Sequence, residues 1–247
     1  MSNSRAEPRV LVVVATYNEL ENLPRLVDAI QQALPAADLL VVDDNSPDGT
    51  GAWCDERATS DPRVSCLHRA GKLGLGSATY DGFRHAIEHG YGIVVTTDAD
   101  WSHPPERLPE LVRLVDSGEA DVAIGSRYCP GGKIEGWPLK RRVASRMVNS
   151  AARVMLRLPI GDCSGAFRAY RVGLLARLDF SAVLTGGYAY LEEILWRLKR
   201  EGARFAEAPI TFTDRVAGQS KINTGEAITA LRVLATLGRR EWLGPRR

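Results

Sequence analysis

Short apolar runs alternate with helix-spaced stretches through the first half of the chain. Arg9–Ala15 (RVLVVVA) is continuous and rich in valine, as expected of a strand covered on both faces. Leu23, Leu26, Val27 and Ile30 recur at helical spacing between Asn22 and Leu34. Leu39–Val42 and Val64–His68 read as short strands on either side of a helical stretch from about Thr50 to Ala58. Ser77–His89 reads as helix, Ile93–Thr97 as strand, the stretch through Leu108, Leu111, Val112 and Val115 as helix, and Val122–Gly125 as strand. This alternation predicts an α/β fold with a mostly parallel central sheet flanked by helices. The second half carries an amphipathic helix over Lys140–Leu158, a strand over Ile210–Thr213 and a C-terminal amphipathic helix over Ile222–Leu237.

Polar clusters fall just after the strands, where open α/β sheets bind ligands. Asp98-Ala99-Asp100 follows the fourth strand. In an extended segment the two carboxylates point the same way, and paired oxygen donors suit Mg²⁺ or Mn²⁺ shared with substrate phosphates. A solvated turn is the alternative. Asp43 and Asp44 end the second strand and can accept hydrogen bonds from a ribose or base, while Asp48–Thr50 reads as a turn and helix cap. After the first strand, Tyr17 offers a face to a nucleobase and Glu19 an acceptor, although Asn18 and Glu19 also fit a helix start. The loop Arg69–Ser77 (RAGKLGLGS) is glycine-rich, with Lys72 able to meet a phosphate, but it fits neither the Walker nor the dinucleotide spacing.

Composition narrows the classes. A chain of 247 residues suffices for one α/β core, and its net charge of +2 gives no reason to expect nucleic acid. Cys54, Cys66, Cys129 and Cys163 lack CxxC spacing, so they are expected as reduced thiols of a cytosolic protein, without a zinc site or disulfide framework. No secretory signal is expected from Met1–Arg9, and no apolar run reaches the roughly 20 residues of a membrane span.

The segments TYNE, VVDDNSPDGT, HRAGKLGLGSA, DADWSHPPE, GSRYCPGG, DCSGAFRAYR and ITFTDRVAGQSKI occur in this order from about Arg9 to Leu237. Together they resemble the dolichol-phosphate mannosyltransferase, or polyprenol-monophosphomannose synthase, branch of the family 2 glycosyltransferases. The resemblance implies a single GT-A catalytic domain over 1–247. Residues 9–125 would form the nucleotide-sugar half, and 126–237 the acceptor half with the C-terminal helix. It implies that Tyr17, Glu19, Asp43, Asp44, Lys72 and the Asp98-Ala99-Asp100 segment bind the sugar nucleotide, and that Asp98, Asp100 and Ser102 hold the metal. Arg127, Arg141 and Ser145 would grip the acceptor phosphate, and Arg215 and Lys221 would close over the donor diphosphate. Asp98, Asp100, Arg127 and Arg215 are the residues on which catalysis would rest. Two departures are visible: Ala15 stands where the family has proline, and Leu191 where it has glutamine, with Glu193 retained. Against the family pattern, the transmembrane hairpins that some relatives carry are not expected here.

The implied reaction moves mannose from GDP-mannose to a polyprenyl phosphate with inversion. A UDP-glucose donor is the nearest alternative. A hydroxyl acceptor would require a catalytic carboxylate, for which Glu193 is the candidate. A receiver-type signalling domain also places acids at strand ends, but it has no use for the second half of this chain. Arg142, Arg146, Arg153 and Arg157 fall near one helical face beside an apolar stripe of Val143, Met147, Val154 and Leu158. That pattern fits either a helix lying on an anionic membrane or an ordinary surface helix. The enzyme is expected on the cytoplasmic face of a membrane, reached peripherally or through a membrane-embedded partner.

Overall fold

The computed structural model describes residues 8–185, 187–214 and 224–244. In chain order the elements are β1 (Val10–Thr16), α1 (Leu23–Ala33), β2 (Asp38–Asp43), α2 (Thr50–Ser60), β3 (Val64–His68), α3 (Leu75–Glu88) and β4 (Ile93–Asp98). They continue with α4 (Leu108–Asp116), β5 (Val122–Ser126), β6 (Lys133–Glu135), α5 (Leu139–Leu156), β7 (Arg168–Arg171), α6 (Val172–Leu175), α7 (Tyr190–Arg200), β8 (Phe205–Pro209), β9 (Thr211–Thr213) and α8 (Thr224–Leu243).

The main sheet has the order β3-β2-β1-β4-β7-β5-β8. All its neighbours run parallel except β7, which pairs antiparallel with both β4 and β5. Strands from the second half of the sequence therefore complete the sheet begun by the first. β1 is valine-rich because both its faces are covered. Val12 and Val14 enter a core shared with α1 and α4, while Leu11 and Val13 enter a second core shared with α3, α7 and α8. Gly82 lets α3 lie directly on β1, since a Cβ there would stand 2.5 Å from Val13 Cγ1.

Two features of the second half depart from the sequence pattern. β7 carries Arg168 and Arg171 and gives no apolar signal, yet Arg168 is fully buried. Its guanidinium donates from Nη1 to Leu191 O (2.8 Å) and from Nη2 to Cys163 O (2.7 Å). The strand predicted over Ile210–Thr213 leaves the main sheet, and its β9 portion pairs with β6 alone.

The register sets the geometry of the site. Thr16 lies opposite Asp43, and Ala15 opposite Asp98, so three predicted polar clusters meet at one end of the sheet. β2 and β4 flank β1 there, at the point where strand order reverses.

Candidate active site

Asp98 closes β4 with its side chain 33% exposed, while Asp100 and Ser102 are buried. Ser102 donates to Asp100 Oδ1 from both its backbone N (3.1 Å) and its Oγ (2.6 Å). Trp101 between them adopts φ +62° and donates Nε1 to Asn22 O at 3.2 Å, which turns the chain back toward α1. Two carboxylates and a hydroxyl thus gather within five residues. The all-oxygen donor set fits a hard divalent ion such as Mg²⁺ or Mn²⁺.

His103 lies beneath this turn and escaped the sequence reading. It is 2% exposed, stacks on Phe167 with ring centroids 5.2 Å apart, and its Nδ1 accepts from the Asp98 backbone N at 3.3 Å. Burial lowers its pKa to about 4, against the opposing charge of Asp100. A neutral imidazole therefore supports the first aspartate of the pair.

On the β1–β2 side, Asp43 Oδ1 accepts from Thr16 Oγ1 (2.8 Å) and Ser46 Oγ (2.5 Å), and its Oδ2 accepts from Ser46 N (2.9 Å). Asp44 pairs with Arg69, and its Oδ2 accepts from the backbone of Leu73 (3.1 Å) and Gly74 (3.3 Å). Both acids, expected at the sugar nucleotide, are buried and engaged by the chain itself, Asp44 as the anchor of the glycine-rich loop. That loop carries Lys72 to Tyr17, with Nζ 4.4 Å from the ring centroid. Two predicted nucleotide contacts from distant segments thus share one surface. Glu19 holds α1 by accepting from Asn22 Nδ2 at 3.0 Å, and its backbone N donates to Thr50 Oγ1 at 3.1 Å. Ala99 is buried.

In the acceptor half, Arg127, expected to grip a phosphate, is 7% exposed and bound to Asp162. Nε donates to Asp162 Oδ2 (2.7 Å), Nη2 donates to Oδ1 (2.6 Å), and Nη2 also reaches Ser164 Oγ (2.9 Å). Burial raises the Asp162 pKa, but hydrogen bonds and charge from Arg127 outweigh it and hold the carboxyl below its usual range. A guanidinium buried this deeply needs a carboxylate, and the partner comes from the loop before β7. Above it, Trp137, Tyr128 and Phe212 ring the Arg127 guanidinium at 5.2–5.7 Å.

Arg141 stacks 3.9 Å above the Trp137 ring and donates Nη1 to Asp214 at 3.0 Å. It is 40% exposed, so solvent and a ligand can reach it. Ser145 Oγ accepts from Tyr128 OH at 2.7 Å, and Arg146 stands 5.6 Å from the same ring. A cationic and aromatic cluster therefore does form where acceptor contacts were expected, with Arg141 and Arg146 toward the outside and Arg127 inside. Arg215 and Lys221 lie outside the described residues.

Glu193, the candidate base for a hydroxyl acceptor, is fully buried. It accepts from Leu184 N (2.9 and 3.0 Å) and from Arg197 Nε (2.9 Å) and Nη2 (2.7 Å). It ties α7 to the segment before it. Neighbouring Glu192 is also buried, and burial raises its pKa to about 7 against its own backbone hydrogen bond and the charge of Arg168.

The mostly parallel sheet, the acids at its strand ends and an oxygen-donor pair at the β1–β4 switch are those of a GT-A glycosyltransferase. The chain belongs to glycosyl transferase family 2, which it matches over residues 11–179, and is a glycosyltransferase. It is 45% identical over 235 residues to polyprenol monophosphomannose synthase of Mycolicibacterium smegmatis, covering 95% of this chain and 88% of that protein. It is 46% identical over 217 residues to undecaprenyl-phosphate mannosyltransferase of Micrococcus luteus, covering 88% of each. Its fold is similar to that of a mannosyltransferase from Pyrobaculum calidifontis in complex with GDP-Man and Mn²⁺, with TM-score 0.59, 22% identity, and coverage of 93% of this chain and 61% of that one.

Proposed function

We propose that this glycosyltransferase moves mannose from GDP-mannose to the phosphate of a polyprenyl lipid with inversion, giving a β-linked product from an α-linked donor. The reading is supported by the names of the two relatives, which match most of the chain at 45% and 46% identity. The observation that carries it is Arg141: a half-exposed guanidinium on Trp137, beside Arg146 and Tyr128, makes a cationic rim suited to a phosphate monoester.

Asp98, Asp100 and Ser102 would hold Mg²⁺ or Mn²⁺, which supplies Lewis-acid stabilisation of the departing nucleoside diphosphate. Tyr17 and Lys72 form the wall for the nucleotide, with Asp43, Asp44 and Glu19 holding that wall in shape. Arg215 and Lys221 keep the diphosphate-closing role that the resemblance implies. Arg127 and Asp162 hold the floor on which the acceptor phosphate rests, so Arg127 acts mainly by positioning. An acceptor phosphate oxygen attacks the anomeric carbon as the bond to the diphosphate breaks, and the diphosphate leaves with the electron pair. The phosphate monoester is already anionic at neutral pH, so no base has to take a proton. The engagement of Glu193 agrees with that, and disfavours a hydroxyl acceptor.

No helix among the described residues is long and apolar enough to cross a membrane. The lipid would be met at a surface. Val143, Met147 and Val154 are 49%, 66% and 66% exposed along α5, with Arg142, Arg146 and Arg153 exposed on the same helix. Trp242 and Leu243 of α8 extend this apolar face, and Arg157 stacks 4.9 Å from the Trp242 ring. The predicted stripe loses one member: Arg157 leaves the helix at φ +52°, which turns Leu158 into the core. We assign this face to the cytoplasmic surface of an anionic membrane.

The test is an assay of purified protein with labelled GDP-mannose or UDP-glucose, a short polyprenyl phosphate, and Mg²⁺ or Mn²⁺. Mannosyl lipid formed from GDP-mannose is expected. Transfer from UDP-glucose alone would replace the sugar, and transfer only to lipid hydroxyls would overturn the acceptor.

A further inference from the structure

At the far edge of the sheet, away from the Asp98–Asp100 turn, three side chains of different donor chemistry converge. Cys66 and His68 stand two residues apart on edge strand β3, and therefore on one face of it. Asp55 comes from α2, which packs against that strand. Ligand-competent atoms of the three all lie within 4.8 Å of one another. His68 Nε2 is 2.8 Å from Asp55 Oδ1, and His68 Nδ1 is 3.9 Å from Cys66 Sγ. The His68 and Asp55 side chains are 49% and 60% exposed, so an ion has a path from solvent.

We propose that Asp55, Cys66 and His68 form a second metal site, for a Zn²⁺-class transition ion, that clamps α2 to the edge strand. The donors are one sulfur, one nitrogen and one oxygen, which favours Zn²⁺ over the hard ions suited to Asp98 and Asp100. Tetrahedral zinc ligands at their usual bond lengths place sulfur and nitrogen about 3.5 Å apart, so Cys66 Sγ and His68 Nδ1 close around an ion with a shift of a few tenths of an ångström, while the Asp55 carboxylate swings from His68 Nε2 to complete the set. Binding replaces the Cys66 thiol proton by the metal, and the proton leaves to solvent. Cys54, fully buried on α2, donates its Sγ to Ser65 O at 3.7 Å, next to Cys66 on the strand. Three protein donors leave the fourth position of a tetrahedral ion to water.

The place of the site gives the clamp a consequence. A Cβ built on Gly51 would lie 3.0 Å from His68 Cε1 and 3.2 Å from Asp43 Oδ2, so only the α2 backbone separates the cluster from the acid that closes β2. An ion held here stiffens the edge next to the nucleotide wall without joining the reaction.

The test uses a full-length chain carrying Asp98→Ala and Asp100→Ala, which removes the hard-ion site, titrated with Co²⁺ and then Zn²⁺. One equivalent of Co²⁺ is expected to give a thiolate-to-cobalt charge-transfer band that Zn²⁺ displaces, and Zn²⁺ is expected to raise Tm. Cys66→Ser should abolish the band, and His68→Ala, at an exposed position, should weaken binding at least about tenfold. Circular dichroism of both variants checks that they fold. Absence of the band, or a band and Tm shift unchanged in folded Cys66→Ser and His68→Ala, would overturn the proposal.

Discussion

Arg127 and Asp162, 35 positions apart, form a buried two-pronged ion pair beneath the Trp137, Tyr128 and Phe212 rings, with contacts of 2.7 and 2.6 Å. Asp162 is fully buried, and it also accepts the backbone N–H of Arg127 at 3.0 Å and that of Gly165 at 3.0 Å. One carboxylate thus fixes both the end of β5 and the loop entering β7.

Removing one partner of this pair leaves a buried charge uncompensated. Asp162→Ala should cost about 3–5 kcal/mol in denaturant unfolding. Arg127→Lys should recover little of the loss caused by Arg127→Ala, because an ammonium cannot reproduce the two-pronged contact. Full stability and full transfer in Asp162→Ala would show that the pair has no structural part in the site.

The outer arginine should separate from the inner one in kinetics. Arg141→Ala is half-exposed and leaves the core untouched. It should raise KM for polyprenyl phosphate roughly tenfold, about 1.4 kcal/mol, with KM for the sugar nucleotide unchanged. Equal effects on both substrates would remove Arg141 from the acceptor rim.

Asp98→Ala or Asp100→Ala should lower transfer by several orders of magnitude with an unchanged far-ultraviolet spectrum. A chelator should do the same to the unaltered chain, and Mg²⁺ or Mn²⁺ should restore it. Full turnover in excess chelator would refute metal assistance.

Glu192 supplies a pH dependence whose sign is determined by burial. Its folded pKa, about 7, lies above the ordinary 4.5, so the folded state holds the proton more tightly than the unfolded one. The associated stability is fully present below pH 4.5 and is lost as pH rises through about 7. The span corresponds to about 3 kcal/mol. Glu192→Gln should flatten the Tm profile between those limits and raise Tm at pH 8. A Tm profile in Glu192→Gln that still falls from pH 5 to 8 as in the unaltered chain would place the effect elsewhere.

The exposed apolar residues of α5 can be tested apart from catalysis. Val143→Glu with Met147→Glu should leave Tm within about 1 °C, since both side chains face solvent. The double variant should sediment less with vesicles rich in anionic lipid. Undiminished sedimentation would mean that another surface meets the membrane.

The strands and helices of the first half, and the acids that close the strands, were legible in the sequence. Each is a local pattern: a valine-rich run covered on both faces at Val10–Thr16, or two aspartates one residue apart at the end of β4. Resemblance added the chemistry of those positions. What remained hidden depends on partners far along the chain. Arg168 lies in a strand with no apolar signature, and it is buried because the carbonyls of Leu191 and Cys163 receive it. Arg127 is buried because Asp162 meets it there, and Asp44 because Arg69 and the backbone at Leu73 take both its oxygens. Sequence spacing reports how side chains recur along one element, whereas the burial of a charge is decided by whether another segment supplies its counter-charge. That second question was settled only when the sheet closed.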